Sequence, residues 1–320
     1  MTSIILTRRS LLAATTLAAT PLRAETPTVL RIAYLKGTND LTLAKAHGSL
    51  EVALAPLGAR VEWAGPFPAA APAVEAMNAG AVDLTVGSST SFIASRAAGV
   101  PLVLFAYQKM SSASEAILVA ADSPIRDLAD LAGRSIACNR GGSGEYLLVR
   151  ALLKAGLPLD ATRRVFLSPP DASAAFAQGA VDGWAIWDPF LSMALAQGRA
   201  RVLADGDACG SENAIAFFVA KPFLQAHRPI VAAVLSTLER ENAWSRAHPH
   251  DAGAIWAHEL GLPMALGPRL GDNNTPPTGG VSADERHQVE RIADWYVQTR
   301  IVPSRPEIAD YLIDLSVTVP

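Results

Sequence analysis

The sequence predicts an α/β fold built as two similar lobes, and two observations lead to this prediction. Segments typical of strands alternate with segments typical of helices from residue 29 to residue 219, which favours a mostly parallel sheet with helices on both faces. In addition, residues 75–83 and 174–182 share one pattern, a helix that ends at glycine and continues through Ala-Val-Asp into a strand. Two units with the same pattern predict two lobes with the same architecture.

The first elements follow from apolar periodicity and from glycine stops. Residues 29–34 are apolar and rich in β-formers, so they predict the first strand, and Gly37 ends it. A helix is predicted over residues 41–57 because Gly58 offers a stop. Polar and apolar residues alternate over residues 60–63, which predicts the second strand.

The connections between the lobes are predicted from short polar runs between strands. A helix over residues 71–78 and a strand over residues 82–86 continue the first lobe. Small polar residues within 107–114 are typical of a hinge, and the apolar residues 115–119 then open the second lobe. We expect the return crossing within residues 217–222.

The C-terminal part reads as helical from residue 223 onward. We expect Trp244, Trp256 and Trp295 to cover the first lobe, and residues 271–280 to form an irregular loop, because they are rich in Asn, Pro, Thr and Gly. The predicted organisation is residues 25–110 for the first part of lobe 1, residues 111–220 for lobe 2, and residues 221–320 for the return to lobe 1 with its C-terminal helices.

The N-terminal residues are typical of an export signal. Arg8-Arg9 precedes an uncharged apolar run over residues 11–22, which is shorter than the roughly 20 residues that a membrane span needs. The arginine pair favours the twin-arginine route. We therefore predict a signal peptide over residues 1–24 and a periplasmic mature protein.

Composition narrows the function classes. The chain is 50% apolar and 18% charged, which allows a large core, and its net charge of −3 offers no basic surface for nucleic acid. We find no Gly-x-Ser-x-Gly elbow, no phosphate-binding Gly-x-x-x-x-Gly-Lys-Ser/Thr loop and no His-Glu-x-x-His, so no motif indicates an enzyme. The histidines lack metal-ligand spacing, and neither a metal nor a cofactor is predicted. Cys138 and Cys209 could form a disulfide in an oxidising compartment, but we interpret them as two small buried side chains.

Three strand-to-helix turns carry the predicted binding chemistry. The first contains Gly87 and the hydroxyl residues Ser88, Ser89 and Thr90, and it precedes a predicted helix over residues 92–98. Glycine allows close backbone approach, hydroxyls cap the helix, and a helix start suits an anion. Taken singly, this turn is better explained by ordinary helix capping, and the same holds for each of the other two turns.

The second turn runs over residues 138–144 and adds Arg140 to a glycine-rich loop with Ser143, before a predicted helix over residues 145–155. The third is Trp187-Asp188-Pro189, in which Asp188 is interpreted as a helix cap rather than a charge for the ligand. Ligands of open α/β sheets bind beyond the carboxyl ends of the strands, where all three turns lie, so we expect them to meet across a cleft. Trp187 is expected in that cleft and Trp184, three residues earlier, in the core.

Several of these stretches resemble the aliphatic sulfonate-binding proteins of ABC importers. The resemblance covers residues 30–220 and is most specific over residues 179–189, Gly-Ala-Val-Asp-Gly-Trp-Ala-Ile-Trp-Asp-Pro. It implies the type II periplasmic-binding fold, with two Rossmann-like lobes joined by a two-segment hinge. It also implies a monomer that delivers a small anion to a membrane permease with its ATPase. The ligand-binding residues expected on this basis are Lys36, Gly37, Ser88, Ser89, Thr90, Arg140, Gly142, Ser143, Gly144, Trp187 and Asp188.

Two departures from that family leave the ligand open. The family often has Gly-Asp/Asn-Thr-Pro-Pro where residues 87–91 read Gly-Ser-Ser-Thr-Ser, and Lys-Gly-Ser-Ser where residues 140–144 read Arg-Gly-Gly-Ser-Gly. Binding of taurine, nitrate or a pyrimidine precursor are alternatives to an aliphatic sulfonate. An enzyme on the same fold is a further alternative, which the export signal disfavours.

Overall fold

The computed structural model describes residues 27–315. The predicted signal peptide, residues 1–24 with Arg8-Arg9, therefore lies outside the described residues. Over the described range, no helix combines the length and apolarity that a membrane crossing needs.

Strands and helices alternate through most of the described chain. The strands are β1 (Thr28–Leu35), β2 (Ala59–Phe67), β3 (Leu84–Ser88), β4 (Leu102–Lys109), β5 (Glu115–Ala120), β6 (Ser135–Cys138), β7 (Arg163–Phe166), β8 (Gly183–Trp187), β9 (Ala200–Asp205), β10 (Ala214–Ala220) and β11 (Thr278–Gly280). The helices are α1 (Asp40–His47), α2 (Ser49–Leu54), α3 (Ala70–Asn78), α4 (Ser89–Ala97), α5 (Ser143–Lys154), α6 (Pro169–Ala177), α7 (Phe190–Ala196), α8 (Gly206–Cys209), α9 (Lys221–Ala226), α10 (Arg228–Ala247), α11 (Pro249–Glu259), α12 (Gly267–Asn273) and α13 (Ala283–Gln298).

The strands form two sheets, which confirms the predicted two-lobed α/β fold. The first sheet has the order β11-β4-β10-β3-β1-β2, and the second has the order β7-β6-β8-β5-β9. Each sheet is mixed: β10 runs antiparallel to β3 and β4, and β5 runs antiparallel to β8 and β9. These are the strands that enter each sheet directly from the other lobe, so they start at the cleft, where the parallel strands end. The prediction of mostly parallel sheets missed this reversal, since apolar periodicity carries no strand direction.

The chain crosses between the sheets twice. The first crossing lies between the end of β4 and the start of β5, within the predicted hinge segment. The return crossing lies at residues 210–213, between α8 and β10. The predicted return over residues 217–222 and the predicted end of lobe 2 at residue 220 are wrong, because β10 pairs with β3 in the first sheet. An apolar strand such as β10 has the same composition in either lobe, so the sequence alone does not assign it to the first sheet.

Two further elements differ from the sequence prediction. The helix expected over residues 41–57 is interrupted at Gly48, which adopts φ 65° and separates α1 from α2. The irregular loop expected over residues 271–280 instead begins in α12 and ends in β11, which pairs with β4. Thr278 donates its backbone N–H to Asn242 Oδ1 at 3.0 Å, a contact across 36 residues that local composition does not reveal.

The repeated Ala-Val-Asp pattern has the same structural role in both lobes. The Asp83 carboxylate accepts the Arg31 backbone N–H at 2.9 Å and so ties the start of β3 to β1. The Asp182 carboxylate accepts the Ser135 backbone N–H at 2.8 Å and ties the start of β8 to β6. Hydrogen bonds from Ser135 lower the pKa of Asp182. The sequence repeat therefore marks two equivalent strand junctions.

Apolar clusters cover both faces of each sheet, and a further cluster joins α1 to α11 and α12 around fully buried Trp256. Trp244 contacts His47 of α1, whereas Trp295 packs against Tyr146 of α5 and so also reaches the second lobe. Cys138 and Cys209 are buried free thiols in the core of the second lobe, which confirms their interpretation as small buried side chains.

Candidate functional site

A cleft lies between the two sheets, where the ends of β1, β3 and β8 face one another. The space between protein atoms there, open solvent included, is about 650 Å³. Its lining residues are Leu35, Lys36, Gly37, Thr38, Asn39, Pro68, Ala69, Ala70, Val86, Gly87, Ser88, Ser91, Met110, Asn139, Ser143, Trp187, Asp188, Ile215 and Asn274. Both lobes contribute, as the sequence predicted.

The start of α1 supplies polar groups that the sequence analysis missed. Asn39 is the N-cap, and its Oδ1 accepts the N–H groups of Leu41 at 3.0 Å and Thr42 at 3.2 Å. Trp256 Nε1 donates to the Asn39 carbonyl at 3.1 Å and fixes the turn from behind. The Asn39 amide nitrogen and the Thr38 hydroxyl have no partner within residues 27–315, so both are available to a molecule in the cleft. An Asn two residues after Gly37 was a usable capping signal.

The start of α4 is a complete capping box. Ser88 Oγ accepts the Ser91 N–H at 3.0 Å, and Ser91 Oγ accepts the Ser88 N–H at 2.8 Å. Ser88 therefore lines the cleft, but its hydroxyl is engaged by the helix. Ser89 and Thr90 are fully buried and do not line the cleft, contrary to their predicted role. Their positions in the first helical turn point them into the protein.

The start of α5 is more open. Its N-cap is Gly142, which provides no side-chain cap, and Asn139 Oδ1 accepts the Gly144 N–H at 2.8 Å instead. Ser143 lines the cleft, and its hydroxyl has no partner among the described residues. Gly144 has a packing role, because a Cβ there would lie 2.5 Å from the Ala185 carbonyl oxygen of β8.

Arg140 lies outside this cleft. Its guanidinium carbon stands 3.7 Å from the centre of the Phe166 ring, on the far side of residues 68–70. We predicted that Arg140, Gly142 and Gly144 contact the ligand beside Ser143. None of the three lines the cleft. The loop bends so that Asn139 and Ser143 alone face inward.

The third turn divides its residues as expected. Trp187 is half-buried in the cleft wall, and Trp184 is in the core with 2% of its surface exposed. The Asp188 carboxylate accepts hydrogen bonds from Ser192 N–H at 2.9 Å, Ser192 Oγ at 2.6 Å, Asn273 Nδ2 at 3.1 Å and Asn274 Nδ2 at 3.0 Å. Burial raises the pKa of Asp188. The N-cap of α7 is Pro189, and Asp188 holds the first turn of this helix from the preceding position through Ser192, so its lone pairs are engaged by the protein.

Five residues that line the cleft carry side-chain hydrogen-bond donors without a protein partner within residues 27–315. They are Lys36, Thr38, Asn39, Asn139 and Ser143. Three helix starts, those of α1, α4 and α5, converge on the same space and add the positive ends of their dipoles. The arrangement suits a compact anion. Within residues 27–315, no group of three or more His, Cys, Asp or Glu side chains is placed to hold a metal ion.

Six predicted residues line the cleft together, and five do not. Those that do are Lys36, Gly37, Ser88, Ser143, Trp187 and Asp188, and those that do not are Ser89, Thr90, Arg140, Gly142 and Gly144. Thr38, Asn39, Asn139 and Asn274 were missed. Asn274 had no sequence signal, since its contact with Asp188 spans 86 residues.

The chain is similar to proteins of known families. Residues 61–252 match the family model described as NMT1/THI5 like. The chain is 36% identical over 283 residues to a protein of Escherichia coli (strain K12) assigned as an aliphatic sulfonates-binding protein, covering 88% of each. It is 31% identical over 180 residues to the taurine-binding periplasmic protein of the same organism, covering 55% of this chain and 54% of that one.

Solved structures share the fold over most of the chain. The alkanesulfonate-binding protein SsuA from Xanthomonas axonopodis pv. citri, bound to MOPS, matches with TM-score 0.82 and 33% identity, covering 90% of this chain and 99% of that chain. The periplasmic aliphatic sulphonate binding protein SsuA from Escherichia coli matches with TM-score 0.78 and 36% identity, covering 89% and 97%. The desulfurization enzyme DszB, at 18% identity and TM-score 0.65, shares the fold alone.

Proposed function

The chain belongs to the NMT1/THI5 like family, and on that premise we propose that it is the substrate-binding component of an ABC importer for an aliphatic sulfonate. The observation that carries the proposal is the set of unused donors at the starts of α1 and α5. Among the described residues, Lys36 is the one basic residue that lines the cleft, so the anion is held mainly by neutral donors. Charge-assisted hydrogen bonds of this kind contribute about 1.5–3 kcal/mol each, which is enough for micromolar binding.

Asn213 connects this site to the hinge. It lies in the return crossing, and its amide donates to Glu115 Oε2 at 2.5 Å and to the Ser143 carbonyl at 3.2 Å. Thr90 of α4 donates to Asn213 Oδ1 at 3.5 Å. A ligand bound between α4 and α5 would therefore act on the segment about which the lobes close.

Binding without chemistry fits the cleft better than catalysis. Among the described residues, no cysteine and no histidine lines it. Its one carboxyl group, that of Asp188, is saturated by hydrogen bonds and is poorly placed to act as a base. The mature protein on this account is periplasmic, monomeric and delivered by the twin-arginine signal, and its partner is a membrane permease with its ATPase.

A thermal-shift panel with mass spectrometry tests the proposal. We expect alkanesulfonates at saturating concentration to raise the Tm, because they bind only the folded state, and to be released chemically unchanged. A shift with nitrate, taurine or a pyrimidine precursor but with no alkanesulfonate would overturn the sulfonate assignment. Conversion of the bound molecule would overturn the binding-protein assignment.

A further inference from the structure

A buried carboxyl group lies at the start of α1, next to the wall of the cleft. Asp40 is the first residue of α1 and follows Asn39, which lines the cleft, and Asp40 itself is fully buried. Its Oδ2 accepts the Thr278 hydroxyl at 2.5 Å, and its Oδ1 accepts Asn242 Nδ2 at 3.5 Å. Neither partner is charged, and no basic side chain within residues 27–315 forms an ion pair with Asp40. A negative charge on this carboxyl group therefore has no counter-charge in contact.

The polar groups around Asp40 include an acceptor without a donor. Thr278 pairs with Gln108 across β11 and β4, and Gln108 Oε1 is buried with no hydrogen-bond partner in the described chain. The side-chain amide nitrogens of Gln108 and Asn242 both donate to the Pro276 carbonyl, at 2.7 Å and 2.9 Å. A proton on Asp40 adds a donor to this cluster, whereas the ionised carboxylate only accepts. The hydrogen bonding thus favours a neutral carboxyl group at Asp40.

The electrostatic surroundings of Asp40 favour the same state. Burial is the largest cause that raises the pKa of Asp40, to about 7, and the charge of Glu241 on α10 adds to it. The strands β4 and β11 contribute uncharged partners to this cluster. Asp40 therefore changes its charge near neutral pH. The basic groups of α1 and of the residues just ahead of it are Lys36 in the cleft wall, Lys45, which is paired with Glu259 of α11, and His47, whose Nδ1 lies 2.7 Å from Glu241 Oε2.

We propose that Asp40 couples anion binding to pH, so that the cleft binds its ligand most tightly when Asp40 is neutral and Asp40 takes up a proton from solvent as the anion binds. The inference rests on the proposed function, because it needs an anion beside the start of α1. The positive end of the α1 dipole stabilises either an ionised Asp40 or the ligand, and salt screens a charge as buried as that of Asp40 only weakly. Because coupling between two sites is reciprocal, the ligand raises the pKa of Asp40, and protonation of Asp40 lowers the Kd.

Calorimetry of butanesulfonate at pH 5.5, 7 and 8.5 and constant ionic strength tests this coupling. The sulfonate stays ionised throughout, so a change in Kd reports a group of the protein. We expect Kd to rise about five- to tenfold from pH 5.5 to pH 8.5, the change expected if the ligand makes Asp40 about tenfold weaker as an acid. Near pH 7, titrations in buffers of different ionisation enthalpy should show an uptake of about half a proton per bound ligand.

Asp40→Asn keeps the size of the side chain and removes its titration. This variant should bind at pH 8.5 about as tightly as the wild type does at pH 5.5, with a flat pH profile and no proton uptake, whereas a purely structural loss would weaken binding at every pH. Glu241→Gln is the matched control, because it removes a neighbouring carboxylate and leaves Asp40 in place. It should keep the pH dependence and move its midpoint to lower pH, since Glu241 raises the pKa of Asp40.

The outcomes separate this coupling from the proposed function. A wild-type protein that binds butanesulfonate with the same Kd at all three pH values and takes up no proton would overturn the coupling and leave the proposed function standing; this result does not require Asp40→Asn to fold. A pH dependence that Asp40→Asn preserves would assign the titration to another group, such as His47, and would also overturn the coupling. If no alkanesulfonate bound at any pH, the proposed function itself would fail.

Discussion

Asn274 donates its side-chain amide to the Asp188 carboxylate across 3.0 Å, and this bond joins the C-terminal segment to the second lobe at the wall of the cleft. The segment is anchored in turn to the first lobe, because Asn242 of α10 donates to the Pro276 carbonyl at 2.9 Å. A residue that holds the first turn of a helix in one lobe therefore also holds a segment of the other.

We expect this contact to be energetically coupled. Asp188→Ala and Asn274→Ala should each lower the free energy of unfolding by about 1–3 kcal/mol, because each leaves a buried polar partner unpaired. In a double-mutant cycle measured by urea denaturation, the pair should be coupled by at least ~0.5 kcal/mol. Asp188→Ala combined with Ser135→Ala, which removes a distant partner of Asp182, should be additive. Additivity in both cycles would contradict a specific contact.

Two serines of the cleft should separate binding from stability. Ser143→Ala removes an unused donor, so we expect the Kd for an alkanesulfonate to rise about tenfold or more with little change in Tm. Ser88→Ala removes the capping box of α4 and should cost about 0.5–2 kcal/mol of stability. Paired calorimetry and thermal melts check this. The reverse pattern, in which Ser143→Ala unfolds the protein, would show that Ser143 has a structural role and that the binding site lies elsewhere.

A glycine pair tests the close packing of α5 on β8. Gly144→Ala would place a Cβ 2.5 Å from the Ala185 carbonyl oxygen, and we expect a loss of about 1–3 kcal/mol as the helix shifts. Gly279→Ala is the control, because a Cβ there would meet nothing within 4 Å. Equal stability of the two variants by chemical denaturation would show that a Cβ at residue 144 fits between α5 and β8.

Two buried acids predict a pH dependence of stability. Burial raises the pKa of Asp40 and that of Glu115 to about 7 each, and hydrogen bonds to their neighbours oppose the shift only in part. Between the ordinary carboxyl range and pH 7, the folded state then binds more protons than the unfolded state, so these groups lower stability as pH rises.

Glu115→Gln removes one of these two titrations. Its fall in Tm from pH 5 to pH 8 should be smaller than that of the wild type by at least about 2 °C, the shift that roughly 1 kcal/mol produces in a domain of this size. Thermal melts across this range check the difference. Identical pH profiles would show that Glu115 is not a proton-binding group of the folded state.

The sequence supported the architecture better than the site. Local signals sufficed for the two lobes, because the Ala-Val-Asp junctions at Asp83 and Asp182 form the same strand contact in each. The direction of β5 and β10 could not be predicted, since these two strands have the same apolar character as their parallel neighbours. The return crossing was misplaced for the same reason.

The site was predicted as turns rather than as side chains. Ser88 and Ser143 reach the cleft, whereas Ser89 and Thr90, adjacent in sequence, are buried. Which face of a first helical turn is exposed depends on what packs behind it, here β4 and the C-terminal helices. The position of Asn274 in the cleft wall depends on a contact across 86 residues, so no local sequence pattern indicated it.

The most direct test of the central claim is the affinity of the mature protein for ligands that differ only in their head group. Butanesulfonate, pentanoate and butanol carry the same butyl tail, so calorimetry with the three isolates the contribution of the helix-start donors. Our account predicts a one-site Kd in the micromolar range for butanesulfonate, weaker binding of pentanoate and no measurable binding of butanol. Butanol binding as tightly as butanesulfonate would contradict an anion site in the cleft.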